Sequence, residues 1–193
     1  MENNSKDGKN QRLENFATGD SILFLTSASE SHGRVSHFLM SLAPGSDWAK
    51  TPVHFHRYQI ETFKVLSGQL NFKLNGREMI LNKNSPKIVV NEKATHAFWN
   101  SSLTQTVTFE AEIFNPKEIE NSIRITYALS KFNKVNKRNI PKNPWITLIL
   151  MYHFESYFRY VPWRLQKGVL YILYRISTLF VSKRSLDALI QEK

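Results

Sequence analysis

Between Ser21 and Phe114 the chain switches between apolar and polar residues with a period close to two, in about nine short runs separated by turn residues. That period marks strands with one buried face, and many short strands at this spacing pack as a sandwich or a barrel. The runs are SILFLTS (21–27), VSHFLMSLA (35–43), VHFH, ETFKVLSG, LNFKL, REMIL, KIVVN, HAFWN and TVTFEAEIF. In LNFKL, Leu70, Phe72 and Leu74 alternate with Asn71 and Lys73; Asn75-Gly76 follows, a strong hairpin signal, and Met79 and Leu81 resume the pattern. The Pro- and Gly-bearing stretch at 43–52 reads as a loop. No repeat of solenoid length is visible.

The remaining residues divide by composition. Residues 1–12 have no apolar core, read as a flexible, solvated tail and form no secretory signal, so a cytoplasmic location is expected. Residues 13–115 form the barrel. Residues 116–143 read as a basic helix and linker, with Ile119, Ile123, Tyr127 and Leu129 as a loose stripe. Residues 144–193 read as amphipathic helices. Pro144 suits a first helical position, and the first helix is expected to run to Pro162, with Glu155 and Arg159 as an ion pair four apart. In the next, Leu165, Val169, Ile172, Leu173, Ile176 and Phe180 share a face. Neither segment is apolar for long enough to span a bilayer. The bland expectation is packing on the barrel or across a homodimer; docking on an anionic membrane surface is the alternative.

Charge and cysteine usage narrow the chemistry. The net charge is +10, yet residues 1–115 carry only +1 of it and residues 116–193 carry +9. Nucleic acid is disfavoured as a partner, because the basic residues are interleaved with a thick apolar stripe. The absence of cysteine excludes disulfides, thiolate metal sites and a Cys nucleophile.

The residues with the most chemistry are His54, His56 and Glu61, in HFHRYQIE, and His96, in THAFWN. Side chains two apart on a strand share a face, so His54 and His56 can grip one ion together. Imidazole nitrogens with a carboxylate oxygen suit one divalent transition metal: Fe, Mn, Ni, Cu or Zn. His-x-His alone is weak, since such spacings occur by chance. His32, His37 and His153 lie in a turn, on an earlier strand and on a helix, and carry no metal expectation.

This pattern resembles the cupin superfamily, whose first motif has His-x-His, three or four residues, Glu, six residues and Gly. His54, His56, Glu61 and Gly68 match it, and His96 and Asn100 match the end of the second motif. The chain departs where the family has Gly-Asp (here Asn84-Ser85) and Pro-Pro-Gly (here Asn91-Glu92-Lys93). Those positions shape turns. The resemblance covers roughly Ser21 to Phe114 and implies a double-stranded β-helix, a jelly-roll type barrel, with C-terminal α-helices. It also implies metal ligation by His54, His56, Glu61 and His96.

Such a site, lined by apolar residues among Phe38, Phe63, Val65, Phe72, Leu74, Phe98 and Trp99, would take a small-molecule ligand or substrate. Gln59, Phe63, Phe72 and Phe98 are the candidate pocket residues. Two functions are open: a metal-dependent enzyme of dioxygenase, isomerase or decarboxylase type, and a non-catalytic binding barrel with a docking tail. A barrel hosts many activities, so fold cannot choose between them.

Overall fold

Alternation becomes burial along two of the three longest strands. Val35–Leu42 buries Ser36, Phe38, Met40 and Leu42, and Val107–Phe114 buries Val107, Phe109, Ala111 and Ile113. The structure is a computed structural model that describes residues 11–46 and 53–191. Its strands are Arg12–Glu14 (β1), Ser21–Thr26 (β2), Val35–Leu42 (β3), His54–His56 (β4), Ile60–Ser67 (β5), Leu70–Leu74 (β6), Arg77–Leu81 (β7), Ile88–Val90 (β8), His96–Trp99 (β9), Val107–Phe114 (β10) and Ser156–Phe158 (β11). Its helices are Ile119–Lys131 (α1), Pro144–His153 (α2), Trp163–Ser177 (α3) and Lys183–Gln191 (α4). The strands form two antiparallel sheets, ordered β1-β2-β3-β10-β5-β8 and β11-β4-β9-β6-β7. The fold is mainly β, a jelly-roll barrel with C-terminal helices. Phe24, Phe63, Phe72 and Phe109 belong to the core between the sheets.

Two glycine-bearing turns fix the register. Asn75 and Gly76 both take positive φ, +49° and +88°, and join β6 to β7 as the sequence predicts. Gly68 joins β5 to β6 at φ +76°, and a Cβ there would sit 2.7 Å from the Thr106 carbonyl oxygen and 3.0 Å from Val107 Cα. The first constraint is conformational; the second is a close approach between two backbones. Asn100 acts at the end of β9. Its side-chain amide donates to the carbonyls of Leu42, Ala43 and Gln105, and its oxygen accepts from Ser102 N–H.

Helix α1 is a strut with two buried sides. Ten of its thirteen residues are buried. Ile119, Ile123 and Tyr127 join the barrel core, while Ile125 and Leu129 join a second cluster with Val135, Ile149, Leu150 and Leu186. Glu120 and Arg124 pair at 2.8 Å with both side chains buried, and Glu120 also accepts from Ala28 N–H and Ser36 O–H, each at 2.6 Å. Each charge thus has a partner in low dielectric.

Four expectations change. The tail expected over residues 1–12 ends sooner, since Arg12 pairs with Leu23, and residues 1–10 lie outside the described residues. The linker after α1 folds back on itself through a bridge between Val135 and Pro141, and Val135 is buried. The helix expected to reach Pro162 stops at His153, because Glu155 turns left-handed at φ +48° and residues 156–158 pair with β4. Edge pairing satisfies backbone groups that β4 would otherwise leave unpaired, and it outweighs local helix propensity. Glu155 therefore pairs with Lys117, at 2.9 Å, in place of Arg159. Finally, the apolar face of α3 points largely to solvent, and the helix packs on α2 through Tyr171 and Tyr174. Part of the loop expected at 43–52 lies outside the described residues.

The two glycines provide a controlled comparison. Gly68→Ala is expected to cost about 2 kcal/mol or more, from φ strain plus the backbone clash, and Gly76→Ala about 1 kcal/mol, from φ strain alone. Urea unfolding of both variants checks the order, and equal losses would contradict it.

Candidate metal site

Register brings the histidines together. In the second sheet His54 lies directly opposite His96, and His96 opposite Leu74. Directly opposed residues of an antiparallel pair face the same side, so His54 and His96 project together into the barrel. His56 follows two residues on, on the same face. Ring centroids lie 4.5 Å apart for His54 and His96, 5.0 Å for His54 and His56, and 5.5 Å for His56 and His96. One nitrogen from each ring falls within 4.8 Å of the other two. Glu61 arrives from β5 in the facing sheet. Its Oε2 is 2.8 Å from His96 Nε2 and its Oε1 is 3.6 Å from His56 Nε2. His56, Glu61 and His96 are buried, and His54 is half-buried.

The outer nitrogens are assigned by their partners. His56 Nδ1 lies 3.3 Å from the Glu155 carbonyl oxygen, and His96 Nδ1 lies 3.4 Å from that of Ala94. A carbonyl only accepts, so in the Nδ1–H tautomer each ring is held by its outer nitrogen and turns an Nε2 lone pair inward, as a metal requires. With both rings in that tautomer the inward atoms are two nitrogen lone pairs and a carboxylate, all acceptors. Glu61 Oε2 is buried and, among the described residues, receives no hydrogen bond of acceptable geometry despite its closeness to His96. Acceptors converging in low dielectric repel unless a proton or a cation sits among them. The donor set fits a divalent cation.

Titration follows the same geometry. Burial works to raise the Glu61 carboxyl, but the imidazoles of His96 and His56 outweigh it and hold the group down at about 2. Burial works to lower His96, but the Glu61 carboxylate outweighs it and the net shift is upward. His56 shifts downward: burial dominates there, and Glu61 only partly offsets it.

The C-terminal extension supports the site from behind. Strand β11 pairs with β4 along its length, Ser156 with His56 and Phe158 with His54. Glu155 accepts from the Gln59 amide at 3.0 Å and from Lys117 at 2.9 Å, and its carbonyl faces His56. Arg57 stacks on Trp163, 4.1 Å from the ring centre. Spacing reads Glu155 as a helix-surface residue, and no local pattern points to its position here. Lys93 is the other residue whose role the text hides. It takes φ +63° at the place of the motif glycine, and its N–H donates to the His56 carbonyl at 2.7 Å.

The candidate pocket residues spread over two surroundings. Phe63 and Phe72 are buried and Phe98 partly so; Phe63 lies 5.0 Å from Phe72, 5.4 Å from Phe98 and 6.4 Å from His96 between ring centres. They floor the site with aromatic faces. Gln59 is buried, with its amide engaged by Glu155. Phe38 and Val65 are core residues, Leu74 packs on the core, and Trp99 is half-buried, one strand position beyond Phe98 and so on the opposite face.

No family model matches the chain. It is 34% identical over 83 residues to an oxidoreductase from Arthrobotrys oligospora, a match that covers 43% of this chain and 30% of that protein. The chain thus spans under a third of the length of this curated relative. Similar solved structures include a cupin domain of an XRE-family transcriptional regulator from Enterobacter cloacae, at 25% identity, TM-score 0.42, over 49% of this chain and 95% of that one. A predicted oxalate decarboxylase from Thermotoga maritima is similar at 21% identity, TM-score 0.46, over 59% and 98%. A sugar phosphate isomerase of the cupin superfamily from Silicibacter pomeroyi is similar at 21% identity, TM-score 0.44, over 54% and 70%. The order of its own two sheets, and the places its motif residues take on them, make this chain a jelly-roll barrel to which the helical extension adds one strand, β11 beside β4.

Proposed function

We propose that the protein holds one divalent transition metal (Fe, Mn, Ni, Cu or Zn) through His54, His56, Glu61 and His96, and acts with it on a small organic molecule. The observation that carries this reading is the convergence of His54, His56 and His96, one nitrogen of each within 4.8 Å of the others, on the Glu61 carboxylate inside the barrel. Bound there, such a metal supplies Lewis acidity and, if redox-active, electrons for oxygen chemistry. Glu61 then serves as a ligand and not as a base. The carbonyls of Glu155 and Ala94 hold His56 and His96 in the ligating tautomer. The aromatic floor of Phe63, Phe72 and Phe98 excludes water from below, so substrate approaches from the half-buried His54 side.

The likeness to an oxidoreductase favours an oxidative reaction of dioxygenase type over isomerisation or decarboxylation. A second reading, a small-ligand-binding barrel without turnover, draws support from the same floor. Phe63, Phe98 and Phe109 pack at 5.4–6.0 Å between ring centres and confine the ligand to the mouth. Oxygen uptake by metal-loaded protein with a panel of small acids and enols separates the two.

Protein purified without chelator is expected to carry about one equivalent of metal, and His54→Ala/His96→Ala to lose most of it while keeping its circular dichroism. Metal-free folded parent protein would end the proposal.

Acid should weaken the site. Metal replaces the proton that His96 otherwise takes, and the raised His96 value brings that competition in above the ordinary imidazole value of 6.5. Affinity is therefore expected to fall by about ten-fold or more between roughly pH 7.5 and 5.5, measured by calorimetry.

In the metal-free protein the signs are opposite for the two partners. The contribution of His96 to stability is full below its unfolded value and is lost as pH rises through its folded one. That of Glu61 is present above its ordinary value of 4.5 and is lost as pH falls through about 2. Glu61→Gln should move the His96 titration downward, read by NMR of the ring nitrogens.

A further inference from the structure

Helix α3 presents an apolar stripe that is largely exposed among the described residues, with Phe180 beyond its end stacked on Trp145. Leu165, Val169, Ile172 and Ile176 fall at helical spacing and are each 40–60% exposed. Leu179 and Phe180 extend the stripe past the helix end and are more exposed still. The polar side of this helix is engaged elsewhere. Gln166 holds the backbone of Phe158 and Val161, and Tyr171 and Tyr174 face Tyr152 on α2.

Charge selects the occupant. From Ser156 to Leu186 the chain has six Lys and Arg and no Asp or Glu. Arg159, Arg164, Arg175 and Arg184 are exposed and Lys167 is half-buried. A second copy seated on the stripe by two-fold symmetry would set these cations against their own kind. An apolar face on a helix whose own charged residues are all cations, Arg164, Lys167 and Arg175, complements a surface that is apolar at depth and anionic at its rim. Among the described residues no helix is long and apolar enough to cross a membrane, so the helix would lie in the interface.

We propose that α3 docks the protein on anionic phospholipid bilayers, with Leu165, Val169, Ile172 and Ile176 among the acyl chains and the arginines at the headgroups. The proposal stands apart from the metal chemistry, because the stripe lies on α3 and the ligands on β4, β5 and β9.

The test uses the full chain and large vesicles of phosphatidylcholine, with or without about 30% phosphatidylserine, in co-sedimentation. Binding to the anionic vesicles is expected to exceed that to neutral ones by about ten-fold, and to fall steeply in roughly 0.5 M salt. Leu165→Glu/Ile172→Glu, both on the exposed stripe, should abolish it, with metal content and circular dichroism unchanged. Arg164→Glu/Arg175→Glu should remove the preference for phosphatidylserine. Failure of the parent to bind anionic vesicles overturns the proposal. So does a Leu165→Glu/Ile172→Glu variant that binds as well as the parent, or a parent dimer that this variant splits while neither form binds vesicles.

Discussion

The pairing of His54 with His96 across β4 and β9 is the constraint on which the site depends. It places two imidazoles side by side, carries His56 to the same face two residues later, and leaves Glu61 to close the group from the opposite sheet. A register slip of one residue in β4 would turn both of its histidines outward. The turns and staples around the barrel can be read as protection of that register. Gly68 allows two backbones to approach, Asn75-Gly76 sets β6 against β7, and Asn100 binds three carbonyls at the end of β9.

Motif residues therefore divide by task. Asn100 and Gly68 hold backbone, while the histidines and Glu61 supply donor atoms. The turn before β9 shows how a departure from the motif is absorbed. Lys93 stands where the family has glycine, yet it takes the left-handed conformation that glycine would, at a cost of about 1–2 kcal/mol. Its N–H bond to the His56 carbonyl offsets part of that strain and keeps the turn against β4.

Strands β2 to β10 were legible because each carries its own alternation and each turn its own residues. The grouping of His54, His56, Glu61 and His96 was legible through motif spacing. What escaped the text was decided at a distance. Strand β1 has three residues, too few to show a period. Strand β11 sits in apolar text that reads equally well as helix, and it becomes a strand because an unpaired edge lies about 100 residues earlier in the chain. Glu155 escaped for the same reason, since Arg159 at helical spacing offered a nearer partner than Lys117. In α3 the period revealed a stripe but could not say whether anything would cover it.

The attachment of β11 to β4 has a thermodynamic corollary. Because the Glu155 carbonyl orients His56, any occupant that gains affinity from an oriented His56 must return the same free energy to the closed arrangement of the extension. Such an occupant and the pairing of Ser156–Phe158 with β4 would thus be reciprocal, each deepening the energy well of the other.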